Sequence, residues 1–340
     1  MIATHYKKYR SLYYNVLILV VFVLLFTIAG FRPLGTTRDT EDYAQAIESF
    51  LKTPSYNFDI LDPAFYLIVN VSKFLFNDVV RGVFIIYAFL GVSLTLHAIK
   101  KNSSFPLLSL IVYICFFFAL HEMTQIRVGV ADAIFLLSIP DIVNRNLKSF
   151  LMKATLAILF HYSALIMFFI YLINSKRNKL FYLLLPLVGI LLSIVNIGRV
   201  FLMSTIRFLP NFLTLKLNLY LKEIGTSRFD TINFHSGLFL LMIFYFIIYY
   251  FAIINIDKFK NETDVLAFKI LGWMLFTLYF FSFLPVLSLR LSEFLGIVII
   301  LALPSLVSIV REKSLMYFLI VFSALLMLYN QIAIQKLIMF

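Results

Sequence analysis

Apolar runs long enough to cross a lipid bilayer recur along this chain almost end to end. A hydrocarbon core about 30 Å thick asks for about 20 apolar residues in helical form. In that core every backbone N–H and C=O must be satisfied inside a helix or a closed barrel. These runs are continuous rather than alternating, which excludes a β-barrel and leaves an all-α, polytopic transmembrane bundle. They fall near 12–31, 82–99, 105–121, 125–142, 150–173, 179–197, 236–256, 265–286, 291–309 and 315–333, about ten spans on length. Composition agrees: 62% of the residues are hydrophobic, where soluble domains sit nearer half. No duplication of halves is visible, which disfavours an inverted-repeat transporter. No linker or low-complexity tract divides residues 1–340, which read as a single integral membrane domain.

The net charge is +12. In a soluble chain this would suggest nucleic acid. Here the Lys and Arg residues collect in short loops between apolar runs, where they set orientation and meet anionic lipid. The expected partner is therefore the bilayer and not nucleic acid. The basic start (Lys7, Lys8, Arg10) precedes an apolar run from Ser11 to Phe31. A cleaved signal peptide over residues 1–31 is the alternative, but that run is long for one and no clear small-x-small cleavage site follows. The run reads as a first span with a cytoplasmic N-terminus. The single cysteine, Cys115, lies within a run and has no disulfide partner.

Two connections are long. Residues 32–81 lie outside after an N-in first span. They contain Ala44 to Lys52, with helical character, and an amphipathic run from Asp62-Pro63 to Phe76. Asp before Pro is a good helix start, and both segments, too short to span, are expected on the membrane surface. Residues 198–235 carry Arg199, Arg207, Lys216, Lys222 and Arg228 against Glu223 and Asp230. Leucines at alternate positions from Leu213 to Leu221 have a strand period. An unpaired strand at a membrane leaves its backbone unsatisfied, so short interfacial helices are expected instead.

Counting crossings from an N-in start puts the basic loops at 100–101 and 145–153 inside, but places Lys176-Arg177-x-Lys179, Lys258/Lys260 and Arg311/Lys313 outside. One further crossing between Lys153 and residue 198 brings all three back inside. A hairpin rising over 148–160, turning at His161-Tyr162-Ser163 and descending to Ile173 supplies it and raises the count to about 11 spans. Its arms are short, and Lys153 would have to snorkel. A re-entrant segment in 198–235 is the alternative.

Ionisable groups within spans are expensive and need a partner, a wet cavity or a function. The stretch from Phe105 to Ile173 carries His121, Glu122, Gln125, Arg127, Asp132 and His161. Arg127 is always charged, and snorkelling or an ion pair with Glu122 competes with a ligand role. His161 is either a satisfied packing residue or a proton carrier. Arg290, at the outer end of a run, is either paired with Glu293 three residues on or functional. Asp39, Glu41 and Asp42 either favour a helix N-terminus or act as acids or bases. His121, Asp132, Asp141 and His235 are weaker candidates. On a continuous helix His121, Gln125 and Asp132 share a face from which Arg127 points away. There is no Asp-x-Asp pair, Ser-His-Asp motif, phosphate-binding glycine loop or Cys/His metal spacing. A metal-bound sugar nucleotide is not supported, and no cofactor or metal site is expected.

Several pieces together resemble the Wzy-type O-antigen and capsule polymerases, in particular their EpsG-like branch. These are Asp42-Tyr43, Asp62-Pro63-Ala64-Phe65-Tyr66, Gln125-x-Arg127-x-x-x-Ala131, Phe160-His161-x-Ser163-Ala164 and Arg290 to Phe294. They occur in the family's order over most of the chain. Asp62 stands where Glu is expected before the proline, and Phe294 where Tyr is more usual. The resemblance implies a bacterial inner-membrane enzyme of GT-C-like build, with two surface helices in its first outer loop. It also implies a reaction at the periplasmic face: a growing glycan on undecaprenyl pyrophosphate is transferred to a new lipid-linked repeat unit, and undecaprenyl pyrophosphate leaves. For that chemistry Arg127, Arg290, Gln125 and Arg207 are the expected pyrophosphate ligands. Asp42, Glu122 and His161 are the expected acid–base candidates. The expected partners are an undecaprenyl-pyrophosphate-linked oligosaccharide and the lipid bilayer, with a chain-length regulator and a flippase as further candidates. A lipid-linked oligosaccharide flippase is the competing class, expected to show repeats and polar groups on both sides.

Overall fold

The structure is a computed structural model, and it describes residues 2–37, 39–58, 61–222 and 237–338. Among these the chain is helical with no strand, as the continuous apolar runs require. Helix α1 (Ile2–Gly30) packs along α4 (Val79–Asn102), with Gly30 against Ile85 and Ala88. Between them lie the two expected surface helices, α2 (Thr40–Lys52) and α3 (Pro63–Leu75). In α2, Tyr43, Ala44, Ile47 and Phe50 are buried at helical spacing, while Glu41 and Asp42 occupy the first turn, where the helix dipole favours acids. In α3, Pro63 takes the first helical position, where its missing N–H costs nothing.

The next helices form the centre. Helix α5 (Pro106–Tyr113) runs directly into a π-helical stretch, Ile114–Thr124. Gln125 leaves the helical conformation (φ −95, ψ 58), and α6 (Ile126–Val143) follows. Arg145, in the left-handed region at φ 55, makes the turn into α7 (Leu147–Phe160). His161 is extended, a 3-10 turn covers Tyr162–Ile166, and α8 (Met167–Ile170) completes the return. The Arg145 guanidinium donates to the carbonyls of Tyr171 (2.5 Å) and Ile173 (2.7 Å), and Phe150 packs on Tyr171 at 4.5 Å between ring centroids. The chain therefore does double back at His161, as the charge count required. Lys153 is satisfied by Asp141 at 2.5 Å.

Helix α9 (Lys179–Ile194) bends by 79° at Asn196 into α10 (Ile197–Thr205) with its 3-10 tail to Phe208, and α11 (Asn211–Lys222) follows. The second long connection thus holds short helices despite its alternating leucines. Its part from 223 to 236, with His235, lies outside the described residues. The rest comprises α12 (Gly237–Ile254), α13 (Glu262–Phe280), α14 (Pro285–Gly296), α15 (Ile299–Ser305), α16 (Lys313–Tyr329) and a π-helical end, Asn330–Ile334.

Among the described residues, five helical stretches are long and apolar enough to cross a membrane, and up to seven if the two bent pairs each count once, fewer than the ten or eleven spans expected from the apolar runs. This is a polytopic helical membrane protein. Helix α6 has the length but carries Arg127, Asp132 and Asp141, and α7 rises only roughly 21 Å. Only 17% of the spanning window of α1, and 17% of that around α16, is buried inside the protein, against 78% for Pro106–Thr124. The first two form the lipid-facing periphery and the third the middle. The basic loops gather at one end. Arg177 donates to the Phe259 carbonyl at 2.9 Å, Lys179 pairs with Asp257, and Ser175 donates to Glu262 at 2.8 Å. The buried Lys269 ammonium is capped by the Asn174 carbonyl at 2.8 Å and Asn178 Oδ1 at 2.7 Å. The opposite end carries α2, α3, the His161 turn and α11.

Candidate functional site

At that opposite end the centre is Asp62, which the sequence presents as a helix start and as the acid of the Asp62-Pro63 motif. As N-cap of α3 it makes no side-chain capping bond. Its fully buried carboxylate instead collects partners from three distant segments. Arg127, at the start of α6, donates from Nη1 to Oδ2 in an ion pair. His161 Nδ1 lies 3.4 Å from the same oxygen. The backbone N–H of Tyr162 donates to Oδ1 at 3.2 Å, and Lys216 Nζ of α11 lies 3.6 Å from it. The Lys216 ammonium also sits over the Tyr162 ring at 4.3 Å, and the Arg127 guanidinium faces the Tyr43 ring at 5.7 Å. A buried charge is tolerated only with such pairing. The helix break at Gln125 and the turn at His161 are what bring both side chains to one depth.

Asp62 and Lys216 lie outside the spans, and the pKa of each is lowered, which favours the charged form of Asp62 and the neutral form of Lys216. Burial alone would push the Asp62 carboxyl up, but Arg127, His161 and Lys216 hold it well below the usual carboxylate range. Burial brings the Lys216 ammonium down to about 8; Asp62 opposes this, and the like charges of Arg127 and Arg290 add to it.

The other expected residues divide. Arg290, on α14, projects to the same end with its guanidinium over the Tyr220 ring of α11 at 5.2 Å. The alternative pairing within α14 is not what Glu293 makes: its Oε2 accepts from Gln125 Nε2 at 3.3 Å. Arg207 is exposed, with its guanidinium over the neighbouring Phe208 ring at 4.9 Å. Asp42 is exposed on the outer side of α2, and its neighbour Tyr43 is the one that faces Arg127. Glu122 is buried in the helix packing. It accepts from the Tyr113 hydroxyl at 3.0 Å and fills a slot where a Cβ on Gly91 would lie 1.9 Å from its Oε2. Arg127 thus pairs with Asp62 rather than with Glu122. Gly129 likewise allows close approach, since a Cβ there would meet the His121 carbonyl at 2.8 Å.

The break at Gln125 also removes the continuous helix on which His121 and Asp132 were placed, yet the two meet. His121 Nδ1 lies 2.6 Å from Asp132 Oδ2, both 1% exposed. Asp62, Tyr43, Tyr162 and Lys216 were named in motifs, a turn or a basic stretch of the sequence but were not singled out one by one as site residues. The signal for two of them lay in the Asp42-Tyr43 and Asp62-Pro63 motifs, which drew attention to positions but assigned Asp62 to capping.

The model of the EpsG family matches residues 15–339, nearly the whole chain. No curated protein and no solved structure matches it.

Proposed function

The chain belongs to the EpsG family, and on that footing we propose that it polymerises lipid-linked repeat units of a surface or secreted polysaccharide. Family membership by itself indicates a polymerase-like glycosyltransferase role at a coarse level. The finer reading rests on one observation. Arg127 and Lys216 flank a single buried carboxylate, Asp62, and Arg290 lies close enough for its charge to act on Lys216, all at one end of the bundle.

Three cations against one carboxylate leave a positive surplus, and Arg127 Nε is a buried donor without a protein partner. A pyrophosphate leaving group supplies the missing acceptors, and its developing charge is what fixed cations stabilise best. In the proposed step a hydroxyl of the incoming unit attacks the anomeric carbon of the growing glycan. The bond from that carbon to the pyrophosphate oxygen breaks, and undecaprenyl pyrophosphate departs with the electron pair. The hydroxyl proton goes to a base. His161 suits this, with Asp62 facing Nδ1 and so orienting the ring for work at Nε2. Asp62, held ionised by Arg127, positions both.

The basic loops at the other end support a cytoplasmic location for that end and for the N-terminus. The Asp62 cluster would then open to the periplasmic face of the bacterial cytoplasmic membrane. The test is reconstitution. Purified protein with lipid-linked repeat units as its one added substrate should produce a ladder of longer glycans. Absence of any ladder with authentic repeat units, or movement of those units across the bilayer without joining, would replace the proposal with the transporter class.

A further inference from the structure

Beyond the Asp62 cluster lies a second polar site. A cavity of about 110 Å3 opens between the π-helical stretch after α5, α12, α13, α14 and the π-helical end of α16. One water needs only about 10–15 Å3, so it has room for a larger polar group. Its polar lining includes His121, Tyr245, Ser292, Glu293 and Gln331. His121, 1% exposed, turns Nδ1 toward Asp132, and its Nε2 has no partner. Gln331, 0% exposed, donates to the Phe116 carbonyl at 2.5 Å and leaves Oε1 unpartnered. Buried orphan groups of this kind are costly, and here two of them line one cavity. Both belong to π-helical turns, a geometry that recurs at functional sites.

The chemistry of the lining selects the ligand. Glu293 and the Gln331 carbonyl are acceptors, backed by the Asp132 carboxylate behind His121. Among the described residues no Lys or Arg lines the cavity. An anion is disfavoured there, whereas a neutral group rich in hydroxyl donors is matched, with the Phe117 and Tyr245 rings as apolar walls. A second, apolar cavity of about 270 Å3 shares Phe116, Leu241 and Met327 and is lined by the outward-facing Leu326, Tyr329 and Ile334. An alkyl tail can lie there.

The two sites touch through one bridge. Glu293 faces the cavity and accepts from Gln125, two residues before Arg127, while Arg290 lies one turn before Glu293 on α14. We infer that the His121–Glu293–Gln331 cavity is a saccharide subsite. In the polymerisation reading, on which this assignment of role rests, it holds the terminal sugar of the incoming acceptor, while the Asp62 cluster holds the donor's pyrophosphate. Gln125 and Glu293 keep the two in register.

Binding is measured without turnover, so that failure of the subsite and failure of the polymerase reading are separable. The protein is placed in nanodiscs with octyl glycosides of glucose, galactose and N-acetylglucosamine, and with octyl phosphate as an anionic control. Saturation then appears as a rise in melting temperature. At least one glycoside should stabilise the protein. Gln331→Leu, and Leu241→Trp filling the cavity from its wall, should each weaken that binding at least tenfold, while Arg127→Lys leaves it within twofold. In reconstituted polymerisation, Glu293→Gln should raise the half-saturating concentration of a pyrophosphate-free alkyl glycoside acceptor at least tenfold and leave that of the lipid-linked donor within twofold. Glycoside binding lost in the cavity variants supports the subsite even if no polymer forms. The subsite is overturned if no glycoside stabilises the protein, if both cavity variants bind normally, or if octyl phosphate is the ligand they lose.

Discussion

Replacing Asp62 by Asn removes one charge and almost no volume. The Tyr162 N–H keeps an acceptor, but Arg127, 14% exposed, and Lys216, 11% exposed, lose their counter-charge. Breaking a buried pair on one side costs about 3–5 kcal/mol. The retained hydrogen bond and the remaining access of both cations to water point to the lower end, about 3 kcal/mol. At the roughly 2 °C per kcal/mol of a larger chain, the melting temperature should fall by about 6 °C. Unfolding in nanodiscs can be followed through Trp273, the sole tryptophan. The sharper measurement is a double-mutant cycle with Arg127→Gln. The doubly substituted protein loses both members of the pair together and should be more stable than Asp62→Asn alone, with a coupling of about 1–3 kcal/mol. Additive losses would refute the idea that Asp62 exists to balance Arg127. Polymer should be lost in Asp62→Asn at protein levels equal to the parent.

Arg127→Lys should insert normally yet lose about a hundredfold in rate, because an ammonium cannot supply the planar fork; Arg311→Ala, at the basic end, should polymerise like the parent, and a normal ladder from Arg127→Lys would make that residue a mere anchor. Lys216 has a lowered pKa, so its positive charge is present below about pH 8 and lost as pH rises through that value; donor affinity should therefore weaken on that alkaline limb. Lys216→Arg should abolish the limb, and an unchanged profile would remove Lys216 from the site. In a Cys115→Ala background, Lys73→Cys on α3 should react with an impermeant thiol reagent from outside, and Lys176→Cys should not; the reverse pattern would invert the orientation.

Much of this architecture was legible because membranes punish charge. Lys176, Arg177, Lys258 and Arg311 sit at one end only if the chain doubles back once more, and that requirement located the His161 hairpin. The surface helices were legible from their length and from Pro63. The centre of the site was not. An Asp before a Pro is fully explained by local capping, and the partners that displace that explanation lie 65 and 99 residues away. Lys216 was hidden among leucines whose alternation mimics a strand. The meeting of His121 with Asp132 was concealed by the π-helical stretch, which no apolar periodicity distinguishes from ordinary helix. Glu122 looked catalytic because it is an acid in a span, but a glycine on each of two neighbouring helices shows it to be packed in place.

The hairpin at His161 also bears on how the protein enters its membrane. Helix α7, at roughly 21 Å, falls short of a hydrocarbon core about 30 Å thick, and the descending arm is shorter. Neither arm can be committed to lipid one at a time by the insertion machinery. The pair is short enough that its arms must enter together, packed against α6, with Arg145 closing over the carbonyls of Tyr171 and Ile173 as the latch. His161 and Tyr162 reach Asp62 only when the hairpin has closed, so a chain with that hairpin open lacks the Asp62 cluster.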